Sequence, residues 1–236
     1  MGTRVKGGTG ELPQDGVIWA GPEALWLTPG LPLVVCACLD DPEWAGALAL
    51  PPSAADLADA ARCPADDRRR RFLQRRAVLR GLVARVLGCE AAGVVVGHDG
   101  PGAPRVIQPV GDLHVSVAGR GALAAFGLSL APIGIDLEAV GEALEPAWNV
   151  LHRSERVWLE ALPPALRHNA FLQLWTVKEA FLKMRGLGLR IEPATVAAQM
   201  EATGAVQIRH GLGLYQGQWQ QLQLGGQAVL VACCMP

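Results

Sequence analysis

The chain has 236 residues, is half hydrophobic, carries 18% charged residues and has a net charge of −1. It can bury a substantial core, which excludes a disordered polymer, and its near neutrality excludes a global field drawing it to nucleic acid or an anionic membrane. The cysteines Cys36, Cys38, Cys63, Cys89, Cys233 and Cys234 form no CxxC pair and no zinc-type spacing with the histidines, so they read as reduced thiols of a cytoplasmic protein.

Residues 1–15 read as a flexible tail, with no apolar stretch behind their positive charges to suggest a secretory signal. "LPLVVCACL" is short, continuous and rich in branched residues, which predicts a buried strand. No segment approaches the ~20 apolar residues of a membrane helix, so no membrane partner is expected. A helix is predicted from Ser53 through "SAADLADAAR", with the serine as N-cap. A second runs from Asp66 or Asp67 to Gly88, with Phe72, Leu73, Ala77, Leu79, Val83 and Leu87 on its apolar side. Eight arginines between Arg68 and Arg85 form a ridge on this helix, which a solvated face would explain without any ligand.

"GHDGPGAP" reads as a loop from its glycine and proline content, and "LHVSV", "ALAAFGLSL" and "IGIDLE" as successive strands. Pro163 and Pro164 open a long helix that Gly186 ends. Three strands follow: "AVQIRH", "QWQQLQL" and "QAVLVACC". The hairpin "LHVSV-AGRG-ALAAFGLS" is echoed by "WQQLQL-GGQ-AVLVACC", so the chain divides into two lobes of similar α+β make-up, residues 16–130 and 131–236.

Within "PIGIDLEAV", strand alternation puts Ile133, Ile135 and Leu137 on one face and Gly134, Asp136 and Glu138 on the other. Two readings are open: a solvated strand edge, or a pair of acids held by a hard divalent ion. The helix "FLQLWTVKEAFLK" bears on the choice, because Phe171, Trp175, Glu179 and Lys183 stack four residues apart. Leu172, Leu174, Val177, Phe181 and Leu182 surround most of that helix, which implies burial, where an idle charge is costly. With Asp136 and Glu138, Glu179 would complete a Mg2+ site and Lys183 would add positive charge, a set suited to phosphoryl transfer.

"IGIDLE" followed by "LWTVKEAFLK" resembles the paired signature GxDxE and WxxKExxxK of the Sfp-type 4′-phosphopantetheinyl transferases; both match fully and in order. The resemblance implies an α+β fold of two pseudo-symmetric lobes with coenzyme A in the cleft between them. It implies Mg2+ on Asp136, Glu138 and Glu179, with Glu179 as base for the acceptor serine and Lys183 assisting the departure of 3′,5′-ADP. Coenzyme A contacts are implied at Gly102, Pro104, Ser116 and Lys183, and one is expected at Arg71 in place of missing family contacts. The implied activity moves 4′-phosphopantetheine from coenzyme A to a serine of an apo acyl- or peptidyl-carrier protein, by a monomer with no nucleic-acid partner.

The chain also departs from the family pattern. The basic residue of the glycine-basic-proline loop is Ala103, and the histidine after Ser116 is Val117. His114 does not replace it, since it points to the other strand face. Arg105, Arg120 and the ridge around Arg71 are the alternative cations. The competing reading is a repurposed transferase fold, used for another metal-dependent reaction or for carrier-protein binding.

Overall fold

The computed structural model describes residues 17–20, 27, 31–99, 103–141, 146–187 and 190–236. The expected tail over residues 1–15 lies outside them. Leu33–Cys38 forms β2, a run of branched and small apolar residues, with β1 (Ile18–Ala20) paired parallel along it. Three helices follow: α1 (Ala45–Leu48), α2 (Ala54–Ala60) and α3 (Asp66–Leu87). Ser53 caps α2 as expected, in a reciprocal box with Asp56. α3 stops at Gly88, whose φ of +64° suits a residue without a Cβ. β3 (Val95–Asp99), β4 (Ala103–Gln108), β5 (His114–Arg120) and β6 (Leu123–Ser129) complete the first sheet, in the order β1-β2-β6-β5-β4-β3.

The second sheet repeats this plan. It opens with β7 (Gly134–Ala139), passes through helices α4 (Arg153–Ala161) and α5 (Pro164–Met184), and continues as β8 (Ala197–Met200), β9 (Ala205–His210), β10 (Gly213–Leu224) and β11 (Gln227–Met235). Its order is β7-β11-β10-β9-β8, so its first strand pairs antiparallel with its last, as β2 does with β6. The echo between the hairpins in the sequence is this correspondence, with β5–β6 matching β10–β11. The fold is α+β with two pseudo-symmetric lobes.

Three apolar clusters hold it together. One lies beneath the first sheet, around Val35, Leu79, Val83 and Phe126; another lies between α5 and the second sheet, around Leu174, Phe181 and Ile208. The third joins the sheets, and there Ile133, just before β7, and Ile135 and Leu137 within it pack with Val34, Ala118 and Ala125.

Some expectations need correction. "GHDGPGAP" is not one loop, because Gly97, His98 and Asp99 end β3 and Ala103 and Pro104 begin β4, antiparallel to it. The arginine ridge is solvated in its first turns, where Arg69 pairs with Asp66 and Arg70 with Asp67, and again at Arg85 near its end, but not along its middle. Arg80 is 2% exposed and ties α3 to the carbonyls of Pro51, Ala91 and Val94 and to Asp56. Among the described residues no helix is long and apolar enough to cross a membrane.

Candidate active site

The site begins with a close approach between two backbones. A Cβ added at Gly134 would stand 1.9 Å from the Ala180 carbonyl oxygen and 2.4 Å from the Met184 nitrogen, so only glycine lets α5 lie against β7 at this point. The next two residues on that face, Asp136 and Glu138, are thereby brought beside Glu179 and Lys183 of α5. Asp136 is 6% exposed, which rules out the solvated strand edge.

Lys183 Nζ donates to Asp136 Oδ1 at 2.7 Å. The second oxygen, Asp136 Oδ2, is buried without a hydrogen-bond partner. Glu138 Oε2 accepts from Arg120 Nη1 at 2.6 Å, across the seam between the sheets. Burial, and then the charge of Asp136, push the Glu138 carboxyl above its ordinary range against the pull of Arg120. Glu179 is pushed up for the same reasons, with Lys183 partly opposing the shift.

Among the described residues, no three His, Cys, Asp or Glu side chains already converge as a metal cage. Lys183 and Arg120 supply the neutralising charge instead. The donor set nevertheless fits a hard divalent ion. Its candidate donors are all carboxylate oxygens, one buried oxygen is unsatisfied, and burial and then the charge of Asp136 make the neighbouring carboxyls resist ionisation where no cation is bound.

Lys183 faces a cleft of about 340 Å3 between the lobes, lined on the first lobe by Arg75, Arg76, His98, Pro104 and Val117. It also borders an adjoining groove of about 590 Å3 that contains Ala103, Pro104 and His114. Val117 and His114 thus fall in different depressions, as strand alternation requires.

The other residues singled out from the sequence are placed differently. Gly102 lies outside the described residues. Arg71 does not line the cleft; both its terminal nitrogens bond Asp40, at 2.6 and 3.0 Å. Ser116 is 4% exposed, and its Oγ accepts from the Ile135 N–H at 3.0 Å, stitching β5 to β7. Lys178 of the second motif is fully buried, bonding the Pro193 and Val196 carbonyls and pairing with Glu155 Oε2 at 2.8 Å. Burial pulls its pKa down and Glu155 resists. Glu155 also accepts from the His152 and Ala198 backbone N–H groups, so this pair joins α4, α5 and β8. Trp175 packs half-buried on the core of the second lobe. Sequence reasoning missed Glu155, although its place three residues after the α4 cap is a capping-box spacing; histidine in the cap position hid it. Arg75 and Arg76 lay unresolved within the ridge.

Residues 132–234 match the model of the 4′-phosphopantetheinyl transferase superfamily. The chain is 27% identical over 132 residues to the 4′-phosphopantetheinyl transferase of Bacillus subtilis, covering 56% of this chain and 58% of that protein. It is 30% identical over 81 residues to the 4′-phosphopantetheinyl transferase gsp of Aneurinibacillus migulanus, covering 34% of each. It is 34% identical over 126 residues to a putative 4′-phosphopantetheinyl transferase of Synechocystis sp., covering 51% of each. The chain thus spans between a third and three-fifths of the length of these relatives.

Proposed function

We propose that this chain, a divergent member of the 4′-phosphopantetheinyl transferase superfamily, transfers 4′-phosphopantetheine from coenzyme A to a serine of an apo acyl- or peptidyl-carrier protein in a Mg2+-dependent reaction. The observation that carries this reading is the contact between Lys183 and Asp136 beside the unsatisfied Asp136 Oδ2, with Glu138 and Glu179 alongside. Asp136, Glu138 and Glu179 would hold the ion, whose chemistry is to neutralise the pyrophosphate as charge develops.

In this reading the serine Oγ forms a bond to the phosphorus bearing the pantetheine arm, and the P–O bond to 3′,5′-ADP breaks. Glu179 takes the serine proton. Lys183 offsets charge on the departing phosphate. The six cysteines are free thiols, in keeping with a reducing cytoplasmic setting, and the proposed working unit is a monomer.

The test is to incubate the protein with coenzyme A, Mg2+ and a panel of apo acyl- and peptidyl-carrier proteins and to weigh the carriers. A mass gain of one phosphopantetheine is expected, abolished by Asp136→Ala. No gain on any carrier, with an active control enzyme alongside, sinks the reading and favours the repurposed fold.

A further inference from the structure

Asp136, Glu138, Glu179 and Lys183 all belong to the second lobe, yet the hydrogen bond that Glu138 accepts comes from the first. Arg120 Nη1, on β5, donates to Glu138 Oε2 at 2.6 Å. Topology sets the route by which it arrives. β7 is an edge strand of its sheet, with β11 along one side. Its other side meets β5, where the Ile135 N–H is given to Ser116 Oγ in place of a strand partner. Ser116, Ala118 and Arg120 alternate along β5 and so share one face. Ser116 closes the strand edge, Ala118 packs into the apolar joint between the sheets, and Arg120, the last residue of β5, is long enough to pass the edge and reach an acid of the candidate site.

As a stabilising contact this pair is weak. The Arg120 side chain is 42% exposed and that of Glu138 18%, and an ion pair in contact with water contributes little to folding. As a means of fixing a carboxylate it is strong, because a charged hydrogen bond sets both where the group lies and how it is turned. Removing a group that holds a metal-binding side chain in this way typically costs about 10–100-fold in metal affinity.

We propose that Arg120 is a positioning residue for the divalent-ion site: supplied by the first lobe, it aims Glu138 beside Asp136 and Glu179, so the acids of the second lobe bind the ion at full strength only when the first lobe is docked on them. That these acids bind an ion rests on the transferase reading. The competing reading makes Arg120 a stand-in cation that the ion must displace, and the two differ in sign. Removing a positioning group weakens ion binding, whereas removing a competitor strengthens it. The exposure of Arg120 favours positioning, since water screens its repulsion of a bound ion while the short bond to Glu138 keeps its direction.

The experiment titrates the full chain with Mn2+, without coenzyme A, followed by calorimetry and by the electron paramagnetic resonance of the free ion. Arg120→Gln should weaken Mn2+ binding about tenfold or more, while its melting temperature in chelator stays close to that of the unchanged chain. Arg120→Lys keeps a charged donor and should recover part of the loss. In a Glu138→Gln background, Arg120→Gln should change Mn2+ affinity no further, because it acts through that carboxylate. Affinity that is unchanged or higher in Arg120→Gln overturns the positioning role, as does an equal loss with and without Glu138. A loss that follows the melting temperature down in both Arg120→Gln and Arg120→Lys overturns it too, since that marks a structural contact alone. Weighing the carriers reads the transferase separately. Carrier modification alongside Mn2+ binding that ignores Arg120 overturns this role and leaves the transferase standing; Arg120-dependent Mn2+ binding with no carrier modified does the reverse. No Mn2+ bound by the unchanged chain overturns the ion site and this role together.

Discussion

Gly134 and Ala180 touch backbone to backbone, and this contact sets the distance between the strand that carries two acids and the helix that carries the third acid and the lysine. No side chain at position 134 fits without moving α5. Gly134→Ala should therefore cost roughly 1–3 kcal/mol of stability, the usual range for overpacking. Urea unfolding measures the loss. Transfer activity should fall further than stability alone explains, because Lys183 moves with the helix; a variant that is destabilised yet fully active contradicts this.

The buried pair of Lys178 and Glu155 makes a different prediction. Lys178→Met leaves Glu155 without its counter-charge in the core, and breaking such pairs typically costs about 3–5 kcal/mol. Adding Glu155→Gln should recover part of that loss, because the stranded charge is then gone. A double variant as unstable as the sum of the two single variants would show that the residues do not act as a pair.

The two raised carboxyls give stability a pH dependence of definite sign. Glu138 and Glu179 hold their protons more tightly when folded than their ordinary value of 4.5, so ionising them disfavours the folded state. The penalty is absent below 4.5, grows as pH rises through the interval up to the folded values, and is complete above it. In chelator at neutral pH, Glu179→Gln should raise the melting temperature over the unchanged protein, and the gap should close as pH falls toward 4.5. Mg2+ should raise the melting temperature of the unchanged protein more at neutral than at acidic pH. Scanning fluorimetry across pH decides; a gap that widens on acidification refutes the assignment.

Val117→His together with Ala103→Lys would add cations to the two depressions that flank Lys183. Each new charged bond to donor phosphate should lower the apparent KM for coenzyme A by about tenfold or more, with kcat little changed. Steady-state kinetics with varied coenzyme A measures it. A normally folded double variant without any gain would mean that the donor's phosphates are held elsewhere on the wall.

Much of this arrangement is legible in the residues. Asp66 and Gly88 bracket α3, and the two prolines and Gly186 bracket α5, because start and stop signals are local chemistry. The acids of β7 follow from alternation and the row on α5 from helical spacing. Ser116 and Arg71 show where such reading stops. Alternation tells which strand face a serine takes, but not that the facing strand belongs to the other lobe and offers the Ile135 N–H. A ridge of arginines does not reveal which one turns toward Asp40, which are entombed and which border the cleft. β3 and β4 were hidden because their ends carry glycine and proline, and pairing between strands outweighed the local preference for a turn.

β7 has no spare face. One side carries the acids of the candidate site and the other is the adhesive between the two halves, so a one-residue slip against β11 would bury the carboxylates in the seam and turn Ile133, Ile135 and Leu137 toward α5. Assembly thus proofreads chemistry: a second lobe whose first strand is misregistered cannot dock, and a docked pair has its acids correctly aimed. The same economy forbids dividing the protein at the junction between its lobes, since a freed second half would offer that isoleucine-rich strip to solvent and to its own copies.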